Sequence, residues 1–254
     1  MNTKSNTLQT TERSIEILEY LLESDGSRVS ELADAMDIPK STIHGHLATL
    51  EAKEFVIKRG DIYVLGPELL RMGTYVRSQE EGYVLAGHFT DYIHEKLGFR
   101  SAFAVEMGGK ATYFHTASGD RMGWAHEKLG NRLYLHNTAI GKAILAELPR
   151  QQTEQILDKW GLPAETKYTI TDRDELFNEL EEVRDQGYAT NHEENIRDLH
   201  ALGVAATDRA GKVIGGFSVN GPKRSFTGQD QESEIANQVS EIVNEFELEL
   251  AMPK

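Results

Sequence analysis

The sequence predicts an α+β chain: an N-terminal winged helix-turn-helix, a connecting helix, and a larger C-terminal domain built on a mixed sheet. Three observations carry this expectation. Apolar residues recur at helical spacing in three short segments before residue 53, two β-rich runs follow around Arg59-Gly60-Asp61, and beyond residue 97 strand-like and helix-like segments mix, with hairpin turns between strands. The 254 residues, 39% of them apolar, suffice for two domains with separate cores.

In TERSIEILEYLLE the residues Ile15, Leu18 and Leu22, with Ile17 and Leu21 alongside, fall at helical spacing, and Thr11 is placed to cap them. After the turn SDGS, SELADAM gives a second helix with Ser30 as its N-cap and Leu32, Ala33 and Met36 as its inward face. A third helix follows Asp37 and Ile38, with Pro39 in its first turn. In FVIKRGDIYVLG, residues 55–58 and 62–65 make a small wing. Helix-turn-helix plus wing is an architecture that lays its third helix in a DNA major groove.

At 100° per residue, Pro39, Ile43, Leu47 and Leu50 share the core side of that helix, with His46 an edge-of-core histidine. The opposite face carries Ser41, Thr42, Gly45, Ala48 and Thr49, flanked by His44. Gly45 costs a helix about 0.5–1 kcal/mol relative to alanine. A face of small residues can lie close against base edges, with threonine methyls on thymine methyls and hydroxyls as donors or acceptors. The alternative is a solvated face of no special use.

Net charge is −14, from 27 basic and 41 acidic residues, which on its face argues against a nucleic-acid partner. The distribution is more informative. Residues 40–59 hold Lys40, Lys53, Lys58 and Arg59 against Glu51 and Glu54, a local excess of two positive charges. An acidic, cysteine-free chain suits a high-salt cytoplasm, where charge is strongly screened. Without cysteine, a disulfide framework, a thiolate metal site and a thiol nucleophile are excluded. The polar opening MNTKSNTLQT and the lack of a long apolar run predict neither secretory signal nor membrane span, hence a cytoplasmic protein.

From Pro67 to about Leu97 the pattern is helical, softened at Glu81-Gly82, which divides a connecting helix from the next. Leu69, Leu70, Met72 and Tyr75 make the connector apolar enough to pack on a partner subunit or on its own C-terminal domain. SAFAVEM, ATYFHTAS and RLYLH then read as strands, with a turn at Gly108-Gly109-Lys110. Helices follow at about 138–148, 150–160 and 172–186. GYATN, LHALGVAATD and GKVIGGFSVNG add strands, with a turn at Ala210-Gly211, and a helix over about 229–252 closes the chain. In NTAIGKA, Thr138 is placed as N-cap, so the amides of Ala139, Ile140 and Gly141 would offer an anion site, while Lys142 is expected to face solvent.

Five motifs in order, IPKSTIHGHLATLEAKEFV, IYVLGPELLRMG, LHNTAIGKAILAELP, DELFNELEEVRDQGYATNHEE and GVAATDRAGKVIGGFSVNGP, make the chain resemble the IclR (isocitrate lyase regulator) transcription factors, in a haloarchaeal form, along nearly its whole length. The resemblance implies a winged-helix DNA-binding domain over residues 1–66, a linker helix over 67–82, and a GAF/profilin-like effector-binding domain over 83–254. It also implies dimers or tetramers on palindromic operators. Gly45 and His46 stand where the family commonly has Arg and Leu. An arginine fork on guanine is therefore absent, and readout is expected from Ser41, Thr42, His44, Gly45 and Thr49, with Lys40, Lys58 and Arg59 on phosphates.

Carried over by position, the ligand-facing residues are Ala139, Ile140, Asn191 where Asp is common, Ala201 where Cys is common, Ser218, and Asn220 where Ser is usual. A neutral, amide-rich pocket favours a sugar acid or other small carboxylate over an aromatic acid. The expected function is a ligand-responsive regulator of a catabolic operon, activator or repressor, with no cofactor. The alternatives are a module whose winged helix binds protein, and an enzyme. The latter is disfavoured: HEENIRDLH lacks HExxH spacing, no nucleophile elbow or phosphate loop is present, and neither catalytic nor metal residues are expected.

Overall fold

A computed structural model describes residues 7–119, 129–226 and 228–252, and the structural statements below concern these. Residues 1–6, part of the polar opening, lie outside them. The chain divides between Ser78 and Gln79 into two units.

In the first unit, α1 (Gln9–Glu23) starts after Leu8, without a side-chain cap, one turn earlier than a Thr11 cap would allow. It buries Ile17 and Leu21, while Ile15 and Leu22, expected inward, are 50% and 69% exposed. Ile15 lies roughly 160° around the helix from Ile17, so one core cannot take both. Next, α2 (Val29–Met36) begins before Ser30, because the Glu31 carboxylate caps it by accepting from the Arg28 amide at 2.7 Å and the Ser27 hydroxyl at 3.1 Å. Those two bonds hold Glu31 below the ordinary carboxylate range. Asp37, left-handed at φ 52°, makes the turn into α3 (Lys40–Ala52).

Ile43, Leu47 and Leu50 face the core as expected, but Pro39 is an exposed N-cap and Ile38 fills its place. Strands β1 (Val56–Arg59) and β2 (Ile62–Leu65) pair with Arg59 opposite Ile62, leaving Gly60-Asp61 as the two-residue turn. Paired Ser27–Tyr63 backbone bonds of 2.8 and 2.9 Å pin this wing to the residues preceding α2. The following helix α4 (Pro67–Arg77) has no buried residue, and Leu70 and Tyr75 are 74% and 66% exposed.

The second unit opens with α5 (Glu81–Leu97). The helix break is at residues 78–80, so Glu81 and Gly82 are the first turn of α5, not the softened end of a linker reaching 82. Strands β3 (Arg100–Met107), β4 (Lys110–Ala117) and β5 (Arg132–Tyr134), helices α6 (Ala139–Glu147), α7 (Arg150–Trp160) and α8 (Arg173–Gln186), strands β6 (Ala189–His192), β7 (Leu199–Thr207) and β8 (Val213–Pro222), and α9 (Gln229–Leu250) complete it. The sheet is antiparallel between every neighbouring pair, in order β5-β4-β3-β8-β7-β6.

Strand alternation sorts residues by size onto the two faces. Phe103, Val105, Leu202, Val204, Phe217 and Val219 point into a large-residue core with α5 and α9. Ala102, Ala104, Ala111 and Ala189 point into a second core with α6, α7 and α8. Small residues there bring α6 down onto the strands. A methyl group on Gly203 would sit 2.5 Å from the backbone of Ala139 and Ile140, so only glycine admits the start of α6 at that distance.

Candidate functional site

The residues expected to face DNA lie together on the first unit. Lys40, Ser41, His44, Gly45 and Thr49 are exposed along one side of α3, Thr42 is half-buried, and Lys58 and Arg59 are exposed on the wing. Among the described residues, nothing beyond Gly45's own helix backbone comes within 4 Å of the position its side chain would occupy. The glycine is therefore not required by packing within the chain. Thr49 is partly spent, since its hydroxyl donates to the Gly45 carbonyl at 2.9 Å and keeps only its acceptor capacity and methyl group for a ligand. His46 is 8% exposed with Nδ1 2.8 Å from the Ser14 hydroxyl, which makes it a structural histidine. Lys58 also lies over the Tyr63 ring, 5.5 Å from its centroid.

The second set gathers where α6 starts. Sheet register places Asn191 opposite Ala201 and Ala201 opposite Asn220, one row across β6, β7 and β8, with Ser218 opposite Gly203 in the next row. Ala139, Ile140, Asn191, Ala201 and Ser218 line a cleft of about 10 Å³ together with Tyr113, Thr138, Asn195 and Leu199. Asn220 is buried but outside that lining. Gly141 is also outside it, and its amide is taken: Thr138 Oγ1 accepts it at 3.2 Å, closing the helix start instead of opening the third amide to a ligand. A larger cleft of about 380 Å³ lies elsewhere, lined by Glu80, Tyr83, Glu106, Gln152 and Lys212 among others, and contains none of the expected residues. Size favours that cleft. The convergence of a capped helix start with strand hydroxyl and amide groups favours the smaller one.

Two features of the smaller site were not read from the sequence. Asn191 does not present a free amide, because Nδ2 donates to the Asn137 carbonyl at 2.5 Å and Oδ1 accepts from the Glu194 amide at 3.1 Å. Asn137 itself is 1% exposed, and neither polar atom of its side chain has a partner among the described residues. A buried amide left unpaired costs about 1–3 kcal/mol, a cost that a polar ligand beside it would relieve.

The second feature overturns an expectation. Lys142 does not face solvent: it is 1% exposed, and Nζ donates to Glu179 and to Glu194, each at 2.7 Å. One ammonium thus serves two carboxylates. Glu194 is the more buried of them and has one oxygen without a hydrogen-bond partner among the described residues, and burial pushes its carboxyl above the ordinary glutamate value despite Lys142. The group locks α6, α8 and the loop after β6 together. That loop is also held by Thr169 and Thr166 hydroxyls donating to the Glu194 and Glu193 carbonyls at 2.5 and 2.7 Å. The signal available in the sequence was a single charge inside the apolar run AIGKAILA.

Residues 83–247 match the family model described as bacterial transcriptional regulator IclR C-terminal, and residues 10–60 match the IclR helix-turn-helix domain. The chain is 29% identical over 240 residues to a probable HTH-type transcriptional regulator ArcR of Halobacterium salinarum, covering 93% of this chain and 91% of that one. It is 30% identical over 222 residues to the HTH-type transcriptional repressor AllR of Escherichia coli K12, covering 86% and 82%. Among solved structures, the Thermotoga maritima IclR crystal structure superposes with a TM-score of 0.78 at 28% identity, covering 96% of this chain and 98% of that chain.

Proposed function

The chain belongs to the IclR family of transcriptional regulators, and on that premise we propose that it controls a catabolic operon in the cytoplasm by releasing or engaging its operator when a small carboxylate or sugar-derived metabolite binds. The α3 face carries this reading. It is exposed, lined by small residues and flanked by Lys40, Lys58 and Arg59, in a chain whose net charge is −14. In this proposal Ser41, Thr42, His44, Gly45 and Thr49 meet base edges, and the three cations meet phosphates.

The effector site of the proposal is the α6 start, with Ala139, Ile140, Asn191, Ala201 and Ser218 as lining residues, and with Asn137, buried and outside that lining, as a polar contact once the cleft opens. A cleft of about 10 Å³ holds no more than about one water, so in this proposal the lining opens to admit a metabolite. The committed Asn191 amide leaves the helix start, Ser218 and Asn137 as the anion- and hydroxyl-binding groups, which keeps a sugar acid the favoured class. A dimer or tetramer is part of the proposal, supported by the unburied apolar residues of α4. No helix among the described residues is long and apolar enough to cross a membrane, and the relatives are named regulators, which points away from an enzyme.

The test is fluorescence anisotropy with duplex from the gene's own upstream region against shuffled duplex at matched salt, repeated with sugar acids, keto acids and aromatic acids. The reading expects a preference of at least tenfold for the upstream duplex and a change in it with one acid class. Equal affinity for both duplexes would overturn the DNA assignment.

A further inference from the structure

HEENIRDLH begins and ends on histidine, and the fold turns those ends toward each other. His192 on β6 and His200 on β7 are directly opposed in the antiparallel ladder, with ring centroids 4.5 Å apart. Alternation puts them on the face opposite Asn191 and Ala201, where Glu232 in the first turn of α9 completes a cluster. His192 Nε2 lies 3.1 and 3.2 Å from the two Glu232 oxygens, His200 Nδ1 lies 3.7 Å from Oε1, and one ligand atom from each residue falls within 4.8 Å of the others.

The two histidine–glutamate separations, 3.1 and 3.7 Å, bracket the spacing a small tetrahedral ion needs, and the third pair lies within 4.8 Å, so a modest side-chain adjustment closes the set. With bonds of about 2.0–2.1 Å, tetrahedral donors stand roughly 3.3–3.4 Å apart. An ordinary His192–Glu232 ion pair would account for two of the three residues but not the third. His200 is 8% exposed, and neither ring nitrogen has a hydrogen-bond partner among the described residues. A metal ion gives that buried imidazole an acceptor for its lone pair. The neighbouring cation, Lys223, is neutralised by Glu193 at 2.7 Å. His192, with its side chain half exposed, leaves an entry path and a fourth position for water or another ligand.

The geometry points to a binding site for one divalent transition-metal ion of the zinc class, held by His192, His200 and Glu232. Two imidazoles and one carboxylate select zinc, cobalt, nickel or copper over magnesium and calcium, which take oxygen sets. The ion ties the β6–β7 edge to α9, directly behind the strand segments that carry Asn191 and Ala201. Sequence spacing conceals the site because the two histidines meet across a hairpin and not along a helix turn.

Calorimetric titration of chelator-stripped full-length protein with zinc chloride tests this, with cobalt absorption as a second readout. Expected are one ion per chain, the visible bands of four-coordinate cobalt, and at least tenfold weaker binding in Glu232→Gln and His192→Ala. His192→Ala replaces the most exposed of the three, and its melting temperature in chelator should equal that of the parent, so lost binding there is not unfolding. His88→Ala, an exposed histidine elsewhere, should bind as the parent does. Absence of saturable zinc binding in the parent, or unchanged affinity in His192→Ala, overturns the site.

Discussion

Two helices of this molecule share a vocabulary and differ in everything around it. Both α3 and α6 carry an interior glycine and a lysine in the first turn or just after it. On α3 the glycine has open space beside it and the lysine is exposed. On α6 the first eight residues are all buried, a methyl group on Gly141 would run into the backbone of Leu135, and Lys142 is enclosed between two carboxylates. The contrast teaches that a residue type states a chemistry but only its surroundings decide whether that chemistry serves a partner or the fold. α3 offers its groups outward; α6 spends most of its own on holding the domain together.

The largest expected effect that separates the two helices is at the lysines. Lys142→Met strands Glu194 and Glu179 without their cation, and breaking a buried pair costs about 3–5 kcal/mol. Glu194 can limit the loss by taking a proton, so the lower end, about 3 kcal/mol, is expected in urea unfolding monitored by circular dichroism. Lys40→Met should leave the midpoint unchanged within error. Comparable losses for both would erase the distinction.

The glycines come next, with opposite signs. Gly141→Ala must move backbone and should destabilise by about 1–3 kcal/mol. Gly45→Ala meets nothing, and should stabilise by a few tenths to about 1 kcal/mol while lowering affinity for operator DNA, if close approach is why the glycine is there. An alanine variant that binds as tightly as the parent would remove that role and leave α3 an ordinary solvated face at this position.

A smaller effect sharpens the account of α6 through pH. Because Glu194 is raised above the ordinary value of 4.5, the folded state keeps a proton that the unfolded state has already lost. Its contribution is fully present below that value and is lost as pH rises through the folded-state pKa. Glu194→Gln should therefore gain stability relative to the parent as pH is raised across that window. A difference between the two that does not vary with pH would show that Glu194 is ionised throughout.

Legibility followed the same division. Helix-turn-helix, wing and outward face of α3 could be read because one side of each element meets water, and alternation of apolar and polar residues records that asymmetry. The errors there were local: Ile15 and Leu22 belong to a stripe that the core does not reach, and the adjacent Glu31 replaced Ser30 as cap. Around α6 burial is nearly complete, so periodicity disappears and Lys142 could not be assigned a side. Asn191 shares a row with Ala201 and Asn220, and its side-chain amide is committed to the Asn137 carbonyl, 54 residues away. Long-range pairings of that kind leave no local spacing to read, and the His192–His200 pair across its hairpin was hidden for the same reason.

The central claim is that the exposed α3 face and its flanking cations bind operator DNA. The most direct measurement is the salt dependence of binding to the gene's own upstream duplex, for the parent and for a Lys40→Gln, Lys58→Gln, Arg59→Gln triple variant. Three phosphate contacts should contribute roughly 2–3 to the slope of log affinity against log salt. The account predicts a shallower slope by that amount and weaker binding in the variant, with its melting temperature unchanged. An unchanged slope would contradict it, and would assign the winged helix to a protein partner instead.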